Sequence, residues 1–338
     1  MKQYFICLIF ATLTACTGNS QIKTMGTIER YDASLDKIIS STAKAEIIAE
    51  GFEWSEGPLW IEKHKMLLFS DVPKNIIYKW TAEKGKEIYL TPSGYTESSP
   101  RGGEMGSNGL LLDKDGKLVL CQHGNRQMAR MNSDLNNPTA SFTTIAGTYS
   151  GKRFNSPNDV VEKSNGDIYF TDPPYGLPKK DKDPSRETGI FGVYRVDKNG
   201  VTTLLINDLT RPNGLAFSPD ESILYVNVSD PEKAHIMAYP VLKNGILGKG
   251  KLFFDATPML KQGMQGLPDG LRLDTKGNLF ATGPSGVLVI SPKGKLLGRI
   301  ETTQLTANCA WGDDGSTLYM TAHGFLCRIK TKTKGVGF

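Results

Sequence analysis

The chain has 338 residues, 39% hydrophobic and 22% charged, an ordinary globular balance that fits neither a disordered nor a collagen-like polypeptide. Its 40 basic and 35 acidic residues are mixed along the chain, and the short basic stretch Lys330 to Lys334 reads as a solvated tail, so nucleic acid is not an expected partner. Thirty-six glycines and 18 prolines without a period favour many turns and short strands over long helices.

In chain order, Lys2 precedes an apolar run from Tyr4 to Leu13 that is too short to span a bilayer. It ends in Leu13-Thr14-Ala15-Cys16, followed by polar residues, the pattern of a secretory signal peptide over residues 1–15. The ending resembles a bacterial lipobox, which implies cleavage before Cys16, its acylation, and an exported protein lipid-anchored to the membrane and facing the periplasm. The membrane contact would be through that anchor alone. Residues 16–45 are expected to form a tether and an outer strand that helps close the fold. Cys121, Cys309 and Cys327 remain; they are odd in number, match no zinc spacing and sit in strand-like text, so they read as buried apolar residues. A disulfide between two of them stays open.

From residue 46 to 332 a repeat runs through the chain. Six segments share a small polar cluster, an acidic or amide residue, a short apolar strand, a turn and a second apolar strand. They begin at Ser55, Ser107, Pro157, Pro212, Pro268 and Ala307. The polar residue at the second place is Glu56, Asn108, Asn158, Asn213, Asp269 and Asn308, at separations of 52, 50, 55, 56 and 39. Such periods suit a four-stranded blade. Turn pairs such as Asp115-Gly116, Asn165-Gly166 and Asp314-Gly315 stand between the two strands, as hairpins require. The expected fold is all-β: a six-bladed β-propeller as one domain, with residues 333–338 as a tail.

In a propeller the inner strand of every blade lines the axis, so the six equivalent residues face it from six directions. Two carboxylates and four amides make an oxygen-only wreath, which suits a hard divalent cation such as Ca2+. Ca2+ is the first expectation, with Mg2+, Mn2+ or Zn2+ as alternatives. An isolated Asn-Gly would mean only a turn; six anchors in phase are the signal.

At these residues the chain resembles the gluconolactonase, senescence marker protein and luciferin-regenerating enzyme-like family. The matching text is Ser55-Glu56-Gly57-Pro58 with Trp60, Ser156-Pro157-Asn158-Asp159-Val160, Thr171-Asp172-Pro173-Pro174-Tyr175-Gly176, Arg211-Pro212-Asn213-Gly214 and Pro268-Asp269-Gly270. The resemblance implies a propeller that opens a sugar lactone with a metal held by Glu56, Asn158, Asn213 and Asp269. It also implies that Asn108, and the stretch Cys121 to Arg126 containing His123, border the substrate, with Asn158 shared between metal and substrate. The metal would act on the ring carbonyl, and a carboxylate, Asp269 first and Glu56 second, would assist the attacking water. Two other readings compete: a phosphotriesterase-like hydrolase using the same metal site, and a non-catalytic propeller that binds partners. Asn308 is expected to fill the channel, and Asp172 to cap a turn.

Overall fold

Each of the six repeats folds into an antiparallel sheet, because two apolar strands joined by a tight turn bury their faces only when further strands and a neighbouring sheet cover them. The computed structural model describes residues 22–338, so the signal segment and Cys16 lie outside the described residues. Blade I runs Ser55–Ile61, Met66–Asp71, Ile76–Thr81 and Gly85–Leu90 from the axis outward. Blade II is Ser107–Leu112, Leu118–Gln122, Gln127–Met131 and Phe142–Ala146. Blade III is Val160–Glu162, Ile168–Asp172, Gly192–Val196 and Thr202–Ile206. Blade IV is Pro212–Phe217, Ile223–Asp230, Lys233–Pro240 and Lys251–Asp255.

The last two blades borrow from the N-terminal end. Blade V is Leu271–Leu273, Leu279–Gly283, Gly286–Ile290 and Leu296–Glu301, with Ile28–Arg30 as a fifth strand. Blade VI takes Thr306–Gly312, Thr317–Ala322 and Phe325–Lys330 from the end of the chain, then Ala45–Glu50 and Thr24–Met25 from its start. Pairing Phe325–Lys330 against Ala45–Glu50 closes the ring. The segment ahead of that strand is packed and is no free tether. Leu35, Ile38 and Ile39 are buried with Phe280, Val287 and Trp311 of blades V and VI. The tail is tied down too: Val336 N donates to Leu273 O at 3.1 Å and Thr333 Oγ1 to Asp274 Oδ2 at 2.9 Å.

The core is divided into six apolar clusters, one between each adjacent pair of blades. Between blades II and III, for example, Val119 and Cys121 meet Phe154, Phe170 and Tyr194, all fully buried. Each such side chain contributes about 1.5–3 kcal/mol of burial, so the ring is held by side-chain packing between sheets that share no ladder. Among the described residues the only α-helix is the five-residue Thr257–Lys261, and Cys121, Cys309 and Cys327 are buried free thiols.

The inner strands approach so closely at the top of the channel that a glycine follows four of the six anchors. A Cβ on Gly57 would lie 2.0 Å from the Asn108 carbonyl oxygen, and on Gly214 it would lie 2.2 Å from that of Asp269. The same glycines stitch blade to blade: Gly109 N donates to Asn158 O at 2.8 Å, Gly214 N to Asp269 O at 3.0 Å. The repeated anchor-Gly pair is therefore a close-approach device as well as a turn signal. The ladder also shifts register beside Glu56, Ser107, Pro212 and Asn308. Such bulges turn a side chain out of the pleat.

Candidate active site

The anchors converge at one end of the channel. Glu56, Asn108, Asn158, Asn213 and Asp269 line a single cavity of 430 Å3, together with Trp54, Glu104, Tyr175, Lys180, Ser229, Leu267 and Leu305. The backbone that delivers each anchor is fixed by side chains on the second strand of its blade. In blade I, Asp71 accepts from Glu53 N at 3.2 Å and Trp54 N at 3.1 Å, just ahead of Glu56. In blade III, Asp172 accepts from Asn155 N at 2.8 Å and Ser156 N at 2.7 Å, just ahead of Asn158. Asp172 is thus a buried turn clamp, and burial pushes its carboxyl up to about 7. In blade IV, Asn227 Nδ2 donates to Asp269 O at 2.7 Å, reaching across to the next blade's anchor.

The side chains are then oriented. Asn213 Nδ2 donates to Ser229 Oγ at 3.0 Å, which leaves its Oδ1 turned elsewhere. Glu56 is 2% exposed and accepts from Gly57 N at 3.0 Å. Burial raises its pKa, the neighbouring Asp159 carboxylate raises it further, and hydrogen bonds from Gly57 and Asn308 oppose them. Asp269 is raised well above the usual carboxylate range by burial first and by Glu56 second. Burial and neighbouring carboxylates both disfavour charge on these two groups, a cost that a bound cation would offset.

The donor set bears this out chemically. Asn108 Oδ1, Asn213 Oδ1 and Asp269 Oδ1 are buried without a hydrogen-bond partner, a costly condition unless something on the axis completes them. Among the described residues no group of three or more His, Cys, Asp or Glu is gathered around a possible metal position. A cation in this cavity would rest on Glu56 and Asp269 and on the amide oxygens of the asparagines, a set that fits a hard ion.

Beneath the anchors lies a second polar layer. Asn308, 1% exposed, lies beside Glu56 and Asp159 and helps to lower the pKa of both. Asp159 Oδ2 stands 3.8 Å from Arg272 Nη1. Asn308 is packed closely against blade V, where a Cβ on Gly270 would lie 2.0 Å from its Oδ1.

The chain is similar to known proteins over most of its length. The SMP-30/Gluconolactonase/LRE-like region matches residues 54–324. The chain belongs to this family. It is 40% identical over 334 residues to a gluconolactonase of Zymomonas mobilis, covering 96% of this chain and 93% of that one. A solved gluconolactonase from Xanthomonas campestris superposes with a TM-score of 0.79 at 29% identity, over 92% of this chain and 97% of the other. A calcium-binding regucalcin from Agrobacterium tumefaciens, at 20% identity and a TM-score of 0.66 over 86% and 94%, shares the fold.

Within this family member the sequence-expected residues divide. Glu56, Asn108, Asn158, Asn213 and Asp269 stand on one cavity wall. His123, expected at the substrate, does not. It is fully buried, with Nδ1 3.8 Å from Glu104 Oε2 and both ring nitrogens unpartnered. Burial, helped by Arg101, pushes its pKa down to about 3. Residues 92–106 cover it: a Cβ on the adjoining Gly124 would lie 2.4 Å from Tyr95 Cβ and 2.5 Å from Met105 O. His323 is exposed and meets Trp54 edge-on, ring centroids 5.4 Å apart. Glu104, Lys180 and Asp159 were missed. The first two lie in loops outside the repeat, where nothing marks them. Asp159 is inside a quoted motif, but its partners Asn308 and Arg272 come from other blades.

Proposed function

We propose that this chain hydrolyses a gluconolactone-type sugar lactone at the axial cavity, using a divalent cation, Ca2+ first, held by Glu56, Asn158, Asn213 and Asp269. That it is a gluconolactonase-type hydrolase follows from the family and from its similarity to the Zymomonas mobilis enzyme across 96% of the chain. The observation that carries the metal reading is the set of unpartnered buried oxygens on Asn108, Asn213 and Asp269 beside the Glu56 carboxylate. The calcium-binding description of the Agrobacterium tumefaciens regucalcin supports the choice of ion.

When bound, the cation would supply Lewis acidity toward the ring carbonyl. The protein's own groups do the rest. Water attacks the carbonyl carbon, and Asp269, with Glu56 as second candidate, takes its proton. The ring ester C–O bond then breaks, and the leaving alkoxide recovers a proton as the open hydroxy acid forms. Asn108 and Asn158, which line the cavity, would hydrogen-bond sugar hydroxyls. A partner-binding scaffold has no need of two carboxylates buried in its channel.

Assaying purified protein with glucono-1,5-lactone, before and after chelation, tests this. Turnover that chelator abolishes and added Ca2+ restores is expected. Chelator-resistant turnover, or turnover confined to phosphotriesters, contradicts it. We also propose, from residues 1–16, that the chain is exported and acylated on Cys16, facing the periplasm. Fatty-acid labelling of the protein in cells should vanish in Cys16→Ala; labelling that persists rules the anchor out.

A further inference from the structure

The cavity has two unlike walls above the anchors. Trp54, Leu267 and Leu305 make one side apolar, and Glu104, Tyr175 and Lys180 make the other polar. Glu104 is the odd member. It belongs to no blade, yet its position is built. The loop that carries it begins on Asn75, whose Oδ1 accepts from Ser93 N, Gly94 N and Tyr95 N at 3.0, 2.7 and 3.1 Å. The loop ends where Gly106 N donates to Val72 O at 2.8 Å and Gly124 N to Met105 O at 3.1 Å. Between these clamps, Arg101 Nη1 donates to His123 O at 3.3 Å.

The Glu104 carboxyl is only 27% exposed, and among the described residues no donor reaches it. Its nearest ring, His123, stops at 3.8 Å and is neutral. Burial lifts its pKa to about 7, opposed by the charge of Lys180. A half-enclosed carboxyl on the cavity lining, with no protein donor on it, is free to accept hydrogen bonds from a ligand there. Lys180, whose Nζ stands 5.9 Å above the Tyr175 ring, balances its charge, so a second cation is not what the wall invites. A neutral polyol is. A carboxylate accepts two hydroxyl protons at once, and the facing apolar wall suits the C–H face of a sugar ring.

We propose that Glu104 is a substrate-binding residue that recognises the hydroxyl groups of the lactone, so that the site selects a polyhydroxylated lactone over a bare one. This rests on the lactonase reading above. Glu104 touches the part of the ligand remote from the carbonyl, and so it contributes to binding more than to the chemical step. It also orients the substrate. With its hydroxyls accepted at the loop, the ring carbonyl is left to the anchors.

Steady-state kinetics of E104Q and E104A on glucono-1,5-lactone and on δ-valerolactone, the same ring without hydroxyls, test it. For E104A we expect KM for gluconolactone to rise about tenfold with kcat within about twofold of wild type, since a site built for hydroxyls loses discrimination with its acceptor. Activity on δ-valerolactone should be unchanged. The isosteric E104Q should move the same way by a smaller factor, and it carries the test if E104A is unstable. If wild type accepts only gluconolactone, the KM-against-kcat split decides alone. An unchanged KM, or an equal loss on both lactones, overturns the assignment. A wild type inactive on both lactones instead overturns the hydrolase reading, and this inference with it.

Discussion

At the scale of single residues, Glu56, Asn213 and Asp269 could be read from the sequence because each stands at the same place in a repeat, before a glycine that close strand approach requires. The resemblance implies His123 at the substrate, but residues 92–106 are laid over it and it does not line the cavity. Its environment has a measurable consequence. With its pKa held down to about 3 against an ordinary 6.5, the unfolded chain binds a proton in that interval that the folded chain refuses. Stability linked to His123 is therefore complete above about 6.5 and is lost as pH falls toward 3. Melting temperatures measured from pH 7 down to pH 4.5 should fall less steeply in His123→Asn than in wild type. Parallel slopes would mean that His123 titrates in the fold as it does in the unfolded chain.

At the scale of strands, what fixes the site is the convergence of inner strands rather than any one hairpin. The turn pairs and apolar alternation made each hairpin legible. The bulges beside Glu56, Pro212 and Asn308 were not, since a shifted register leaves no mark on a strand of this length. Gly214 exposes the dependence. An added methyl would sit 2.2 Å from the Asp269 carbonyl oxygen, so Gly214→Ala must push the inner strands of blades IV and V apart. We expect it to cost about 1–3 kcal/mol of stability by overpacking and to weaken metal binding, because Asp269 moves with its strand. Gly102, with nothing within 4 Å of its added Cβ, is the control, and Gly102→Ala should be silent. Chemical denaturation of the two variants, with Ca2+ affinity measured alongside, would show it. Equal behaviour of the two would mean that the strands have slack.

At the scale of the whole molecule, the sixfold repeat predicted the ring, and the chain's own ends show how it is shut. The shorter last separation, 39 residues between Asp269 and Asn308, reflects a blade V with tight connections whose extra strand, Ile28–Arg30, comes from the other end of the chain. What the pattern could not reveal was how firmly the N-terminal segment packs, because Leu35, Ile38 and Ile39 carry no period and acquire a partner only once the ring is closed. Closure matters for function. The anchors come from different blades, and only a complete ring brings Glu56 and Asp269 to one buried cavity, where the charge of Glu56 raises the Asp269 pKa. The decisive measurement is calorimetric titration of Ca2+ into chelator-treated protein, wild type against Glu56→Gln and Asp269→Asn. One ion per wild-type chain, with affinity lost by about 10–100-fold or more in each variant, is the expected outcome. Binding of equal strength in all three proteins, or no binding in any, would remove the cation from the axis and with it the chemistry assigned to these residues.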